Sequence, residues 1–279
     1  MPDGALSSSP SAARLQAAFR GAPRPMVIPF VVGGHPSLAA TEAAILALSK
    51  AGATVIEIGI PFSDPIADGP VIAAAMQQAL RGGATPAQVF SAVGRARGRT
   101  DAALVAMVSA SIVMRMAPER FLAAAAEAGM DAVIVPDLDS RVAPHLAELC
   151  AAVGMALVPL IAPDTGAERA AGLLARASGF VYMLGRQGVT GTSNAAAAAA
   201  DSALRDVAAR VKDLRALTRL PIAVGFGIGT AAQVAEVTAH ADAAIVGSAI
   251  VRAMESATTP DAAVSGAAAL FTALRGAAQ

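Results

Sequence analysis

Of the chain's 279 residues one is cysteine and none is tryptophan, and a single tyrosine, Tyr182, accompanies eight phenylalanines. The lone Cys150 excludes an intramolecular disulfide framework and a multi-cysteine zinc site. Its setting, Leu146 to Ala151, reads as a helix that buries the thiol as a small apolar group. Net charge is also absent, since 21 basic side chains balance 21 acidic ones. That balance argues against nucleic acid or an anionic membrane surface as a partner. No stretch approaches the ~18 consecutive apolar residues of a membrane span without Gly, Pro or polar interruption, the alanine runs being only weakly apolar. A soluble chain follows. Met1 to Pro10 is Ser-rich and lacks a basic or apolar targeting region, so a disordered leader over residues 1–14 and a cytoplasmic location are expected.

What remains is a chain 55% hydrophobic and 15% charged, of a length that suits one α/β barrel of about 250 residues. Residues 11–20 hold one or two amphipathic turns. Short apolar segments then recur at Met26–Val32, Val55–Ile60, Ala102–Val108, Ala132–Val135, Met155–Ile161, Gly179–Leu184, Pro221–Phe226 and Ala243–Val246. Helical segments separate them, opened by Ser37 as an N-cap or by Pro86 and Pro118 at first positions, and closed by Gly52, Gly98 and Gly129. Eight buried strands alternating with helices predict a (β/α)8 TIM barrel, a single domain over residues 15–279. An open doubly wound sheet alternates in the same way. No G-x-G-x-x-G follows the first strand, which weighs against the dinucleotide-binding version.

Active sites in such barrels form at the C-terminal ends of the strands, with phosphate commonly bound after strands 7 and 8. Along Val55–Ile60, the period-2 alternation puts Ile56, Ile58 and Ile60 on one face and Glu57 on the other, toward the barrel interior. A structural ion pair competes with catalysis as the reason for an inward acid. Asp68 lies eleven residues on, in a loop stiffened by Pro61, Pro65 and Pro70, and two carboxylates in different surroundings suit acid/base work. Asp64 competes for the second role, although before Pro65 it suits a turn or a partner contact. Gly227 after strand 7, Gly247 and Ser248 after strand 8, and Gly188 to Gly191 after strand 6 suit a phosphate. Ordinary turns would use the same glycines, but their clustering at adjacent strand ends favours a site. His35 ends strand 1 at that face, whereas His145 and His240 lie in helices. Asp137 either contacts the site or caps a helix, and Phe30 and Tyr182 either line an aromatic pocket or pack in the core. No residues have metal-ligand spacing.

Glu57 to Pro70, read as E-I-G-I-P-F-S-D-P-x-A-D-G-P, resembles the signature of the tryptophan synthase α chain family. Pro29-Phe30-Val31, Arg186-x-Gly188-Val189-Thr190-Gly191, Gly225-Phe226-Gly227-Ile228 and Gly247 to Val251 are similar to other motifs of that family. The resemblance implies retro-aldol cleavage of indole-3-glycerol phosphate to indole and glyceraldehyde 3-phosphate, with no cofactor or metal. It implies Glu57 as the acid/base, Asp68 on the indole N–H, and Gly191, Gly227, Gly247 and Ser248 on the phosphate. Phe30, Tyr182 and Phe226 would border the indole, Thr190 would bond Asp68, and Asp64 and Pro65 would face a β chain partner. Ser109 and Ser111 replace the family's usual Tyr and Asn after strand 3, His35 replaces an Asp or Tyr, and Asp139 stands in an altered strand 4 loop. Three alternatives stay open beside the α-chain reading: a stand-alone lyase that supplies free indole to another pathway, a non-catalytic regulatory partner of a β chain, and another phosphate-recognising barrel lyase or isomerase that acts on a different aldol, with Ser109 and Ser111 as specificity changes.

Overall fold

The computed structural model describes residues 10–65, 69–185, 207–225, 227–255 and 259–276. Helix α1 (Pro10–Arg20) precedes β1 (Val27–Val32), α2 (Leu38–Lys50), β2 (Val55–Gly59), α3 (Pro70–Arg81), α4 (Pro86–Arg97) and β3 (Ala103–Met107). Then come α5 (Ala110–Met116), α6 (Pro118–Glu127), β4 (Ala132–Ile134), α7 (Ala143–Ala152), β5 (Ala156–Val158), β6 (Leu160–Ile161), α8 (Ala167–Leu174) and β7 (Val181–Leu184). Residues 207–217 are helical (α9), followed by β8 (Ile222–Gly225), α10 (Ala231–Thr238), β9 (Ala243–Val246), α11 (Ser248–Glu255) and α12 (Pro260–Gly276).

All strand pairs are parallel, in the order β5-β4-β3-β2-β1-β9-β8-β7-β6. The two ends of that order are one stretch of chain, because Pro159 alone separates β5 from β6. Proline has no N–H to give a ladder, so the pairing changes partner there. Ala156–Val158 pair with β4, Leu160–Ile161 pair with β7, and the Pro159 carbonyl accepts from the Tyr182 N–H at 3.0 Å. The sheet therefore closes into the expected eight-position barrel. β1 switches partner in the same way: Val27–Pro29 pair with β9 and Phe30–Val32 with β2.

Alternation along the strands sorts the core into two layers. Ile56, Ile58 and Ile60 pack outward with Leu104, Val133 and Val224 beneath the helices, and Val55, Val105, Ile134, Val158 and Ile245 fill the interior. At about 25 cal/mol per Å² of apolar surface, burial on both faces of the sheet is the main source of stability. Helix starts are set locally. The Ser37 hydroxyl accepts from the Ala40 N–H at 3.1 Å, and Thr85 with Gln88 forms a capping box ahead of Pro86.

Three expectations are corrected. Met155–Ile161 is two strands, because of Pro159. The segment after β3, expected as loop, holds α5, with Ser109 as its N-cap. Of the leader expected over residues 1–14, residues 10–14 belong to α1, which closes the N-terminal end of the barrel; residues 1–9 lie outside the described residues. Leu15 and Phe19 of α1 enter the interior core, the Phe19 and Phe180 ring centroids being 5.2 Å apart. Arg14 donates to the fully buried Asp131 at 2.5 Å, and Asp131 also accepts from Arg97 at 3.4 Å and the Leu104 N–H at 2.8 Å. Burial pushes the Asp131 carboxyl above its ordinary value, against the opposing pull of Leu104 N–H and the two guanidiniums.

Candidate active site

The inward positions of β2 are Val55, Glu57 and Gly59, in ascending order toward the C-terminal face. Glu57 is 1% exposed and lies in register between Phe30 of β1 and Val105 of β3. It is the acidic side chain among the described residues that the sheet directs into the upper interior. The burial expected from period-2 alternation is thus observed, and a carboxylate is taken this far from water only with a structural or chemical reason.

Above it the interior positions become small. Gly59 of β2, Gly225 of β8 and Gly247 after β9 each continue an inward series, and two aromatic side chains use the space. A Cβ on Gly59 would lie 2.5 Å from Phe30 Cζ, and one on Gly225 would overlap the Tyr182 hydroxyl. Phe30 Cδ1 also lies 3.5 Å from the corresponding point above Gly247. Phe30 and Tyr182 therefore flank the mouth over Glu57, with Met107 and Leu184 at the partly exposed rim. Met107 and Leu184 were not singled out from sequence, where they look like the last apolar residues of ordinary strands.

Two turns with glycine stand on one side of this mouth. Gly227 has a φ of +40° and open space where a side chain would project. The neighbouring start of α10 is already satisfied, since Gln233 Oε1 accepts from Gly229 N at 2.9 Å and Thr230 N at 3.2 Å. The start of α11 is different in kind. Gly247 and the half-buried Ser248 lead directly from β9 into this eight-residue helix, whose first-turn N–H groups and positive dipole end face the same mouth as Gly227. Such a helix start suits an anion.

On the opposite side, Asp137 links the loops after β3 and β4. Its carboxylate accepts from Ser109 Oγ and from the Ala110 N–H, both at 2.8 Å, and Ser109 Oγ lies 2.9 Å from Ser111 Oγ. Asp137 is therefore a cap, though for the helix of the preceding βα unit rather than its own. Asp139 pairs with Arg141 at 2.6 Å, and the hydrogen bonds from Arg141 hold its carboxyl at about 2. Asp64 is exposed and accepts from Ser63 Oγ at 2.9 Å, with Pro65 half-buried beside it. His145 and His240 are exposed. His35 is 1% exposed behind the mouth. Asp68, Thr190, Gly191 and Phe226 lie outside the described residues. Among the described residues no cluster of three or more His, Cys, Asp or Glu has the arrangement of a metal site.

The family model for the tryptophan synthase alpha chain matches residues 17–277. The chain is 39% identical over 230 residues to the tryptophan synthase alpha chain of Carboxydothermus hydrogenoformans, covering 82% of this chain and 84% of that one. It is 43% identical over 235 residues to that of Methanosarcina mazei, covering 83% and 82%. Among solved structures, a chain of Mycobacterium tuberculosis tryptophan synthase superposes with a TM-score of 0.80 at 31% identity, covering 96% of this chain and 98% of that one. The tryptophan synthase A-subunit of Pyrococcus furiosus gives 0.80 at 29% identity, covering 90% and 98%.

Proposed function

Because the chain belongs to the tryptophan synthase alpha chain family, we propose that it cleaves indole-3-glycerol phosphate into indole and glyceraldehyde 3-phosphate, in the cytoplasm, as the partner of a β chain. The observation that carries this reading is the position of Glu57: a buried carboxylate under an opening flanked by Phe30 and Tyr182 and faced by the start of α11.

The reaction moves protons and breaks one carbon–carbon bond. A proton is delivered to indole C3 while the ring N–H gives up its own, so that C3 becomes tetrahedral. Removal of the side-chain hydroxyl proton then turns that C–O into an aldehyde, and the electron pair of the breaking bond returns to the ring, which regains its N–H. Glu57 serves as the acid/base for the proton transfers at and beside C3. Asp68 holds the indole N–H as positive charge develops there, and Thr190 bonds Asp68; both assignments rest on the family motif. The phosphate sits at Gly247, Ser248 and Gly227, completed by Gly191, where backbone N–H groups and the dipole of α11 offset its charge. Phe30, Tyr182 and Phe226 border the indole and keep water from the C–C bond. Neither redox nor metal chemistry is required by this balance of atoms. Asp64 and Pro65, on the loop after β2, face the β chain.

The test is indole release from indole-3-glycerol phosphate by the purified chain, with and without a β chain. Glu57→Gln is expected to lower turnover by at least ~10²-fold while the protein remains folded. Unchanged turnover in that variant removes Glu57 from the mechanism.

A further inference from the structure

A cavity of about 480 Å³ opens between α7 and α8, and it shares no residue with the mouth over Glu57. Its floor includes Val135, Leu157 and Pro159, and the first turn of α7 contributes Ala143 and Pro144. The other wall is one face of α8, formed by Arg169, Gly172, Leu173 and, just past the helix end, Arg176. That volume lies within the range of small-molecule sites, which likewise combine an apolar surface with a few charged groups. Gly172 sets the width. A Cβ built on it would meet nothing within 4 Å, although a glycine inside a helix costs stability relative to alanine.

Charge selects the occupant. The ionisable side chains that line the cavity are Glu168, Arg169 and Arg176, and none is in an ion pair among the described residues. Glu168 stands in the first turn of α8, where a carboxylate suits the positive end of the helix dipole. Arg169 follows it directly and also acts on Asp139, which Arg141 already engages at 2.6 Å. Arg176 stands about two helical turns beyond Glu168, at the end of α8 away from both carboxylates. It is exposed. Of the two guanidiniums it is therefore the one whose charge is left for a ligand.

We propose that this cavity is a second binding site, for a small organic anion with an apolar body of aromatic size. The body lies on Leu157, Pro159 and Leu173, and a carboxylate or sulfonate group meets Arg176, whose guanidinium can offer such an oxyanion two N–H groups at once. Its place in the barrel gives such a ligand a structural effect. Val135 follows β4 and Leu157 lies in β5, before the change of strand partner at Pro159, whereas α8 comes after it. An occupant thus touches both sides of that change. Leu157 and Ser178 make hydrogen bonds across it: the Ser178 N–H donates to the Leu157 carbonyl and the Leu157 N–H to Ser178 Oγ, both at 3.1 Å. A ligand held against Leu157 and Ala177 keeps these bonds closed.

The probe is 8-anilinonaphthalene-1-sulfonate, with N-phenyl-1-naphthylamine as its uncharged counterpart; both fluoresce more strongly out of water. One equivalent of the sulfonate should bind the unmodified protein, at least about threefold more tightly than the uncharged dye, and Arg176→Ala should remove that preference. Gly172→Leu, which fills the cavity, should weaken sulfonate binding by at least about tenfold. Gly172→Ala should weaken it less and raise the urea midpoint, because alanine favours the helix. Binding and stability then move in opposite directions, which loss of the fold cannot produce, so Gly172→Ala decides if Gly172→Leu does not fold. Saturation with the sulfonate should also slow hydrogen exchange at the Ser178 amide. Equal sulfonate affinity in the unmodified protein and both Gly172 variants overturns the proposal, because the dye then sits elsewhere. A preference for the sulfonate that survives Arg176→Ala, or failure of the unmodified protein to bind it, overturns the proposal as well.

Discussion

The Tyr182 hydroxyl occupies the space that a side chain on Gly225 would need, across the β7–β8 pair. Gly225→Ala must therefore displace the ring or spread the strands. The expected outcome is a loss of about 1–3 kcal/mol of stability, as for other overpacked positions, with a raised KM for indole-3-glycerol phosphate. Tyr182→Phe combined with Gly225→Ala should recover part of the stability, and urea unfolding of the double-mutant cycle measures that coupling. Strictly additive losses would mean that the two residues do not compete for the space.

Asp131 offers a contrasting case, a buried acid that is structural. Replacing it with Asn leaves Arg14 and Arg97 facing one another without the carboxylate they share, and a loss of about 3–5 kcal/mol is expected. Indole release per folded molecule should be unchanged. Denaturant midpoints and activity measured on the same preparations separate the two quantities.

Asp137→Ala removes the acceptor that ties α5 to the β4 loop. Loss of such a cap costs about 0.5–2 kcal/mol locally. Hydrogen exchange should accelerate at Ser111, Ile112 and Val113 while amides in β3 keep their protection. If the β chain docks on these loops, its stimulation of indole release should weaken with this variant.

The folded pKa of His35 lies below its unfolded value of 6.5. The unfolded chain therefore binds the proton first as pH falls, so the contribution of His35 to stability is complete above about 6.5 and declines toward the lower folded pKa. Urea midpoints should fall between pH 7.5 and pH 5.5, and a folded His35→Asn variant should show a shallower decline. An equal decline in both would assign the effect to other groups.

Cys150 is 1% exposed, and burial pushes its thiol up to about 12. Native protein at pH 8 should resist iodoacetamide and take up one equivalent only on unfolding, as mass spectrometry can record. Rapid alkylation of the native chain would show that α7 opens.

Much of this arrangement is legible in the residues themselves. Alternation through Val55–Ile60 sends Glu57 inward with no reference to any other segment, and a serine and two prolines mark the starts of α2, α4 and α6, because those signals act over a single turn of chain. The meeting of Ser109 with Asp137 is not legible, since it joins residues 28 positions apart and depends on where the barrel places two loops. The same holds for Asp131 with Arg14, which are 117 positions apart. Helix α5 is not legible either, because its Ser-Ala-Ser start reads as a turn until Asp137 caps it. The inward glycines 59, 225 and 247 are visible as glycines, but that Phe30 and Tyr182 fill the space over them is a property of the closed sheet.

The two switches of strand partner have a consequence for how the molecule comes apart. Pro29 and Pro159 divide the hydrogen-bonded ladder into two half-barrels, one running from the upper part of β1 through β5 and the other from β6 through the lower part of β1. At the Pro159 seam the hydrogen bonds that cross between the halves are those of Leu157 with Ser178, the Leu157 carbonyl accepting from the Ser178 N–H and the Leu157 N–H donating to Ser178 Oγ, both at 3.1 Å, so a fluctuation that parts the halves there breaks these and leaves the ladder inside each half intact. Amide exchange near the transition should then proceed as two blocks with separate opening energies. A chain severed near Pro159 should yield two fragments that recombine into a working barrel, Glu57 entering from one piece and the start of α11 from the other.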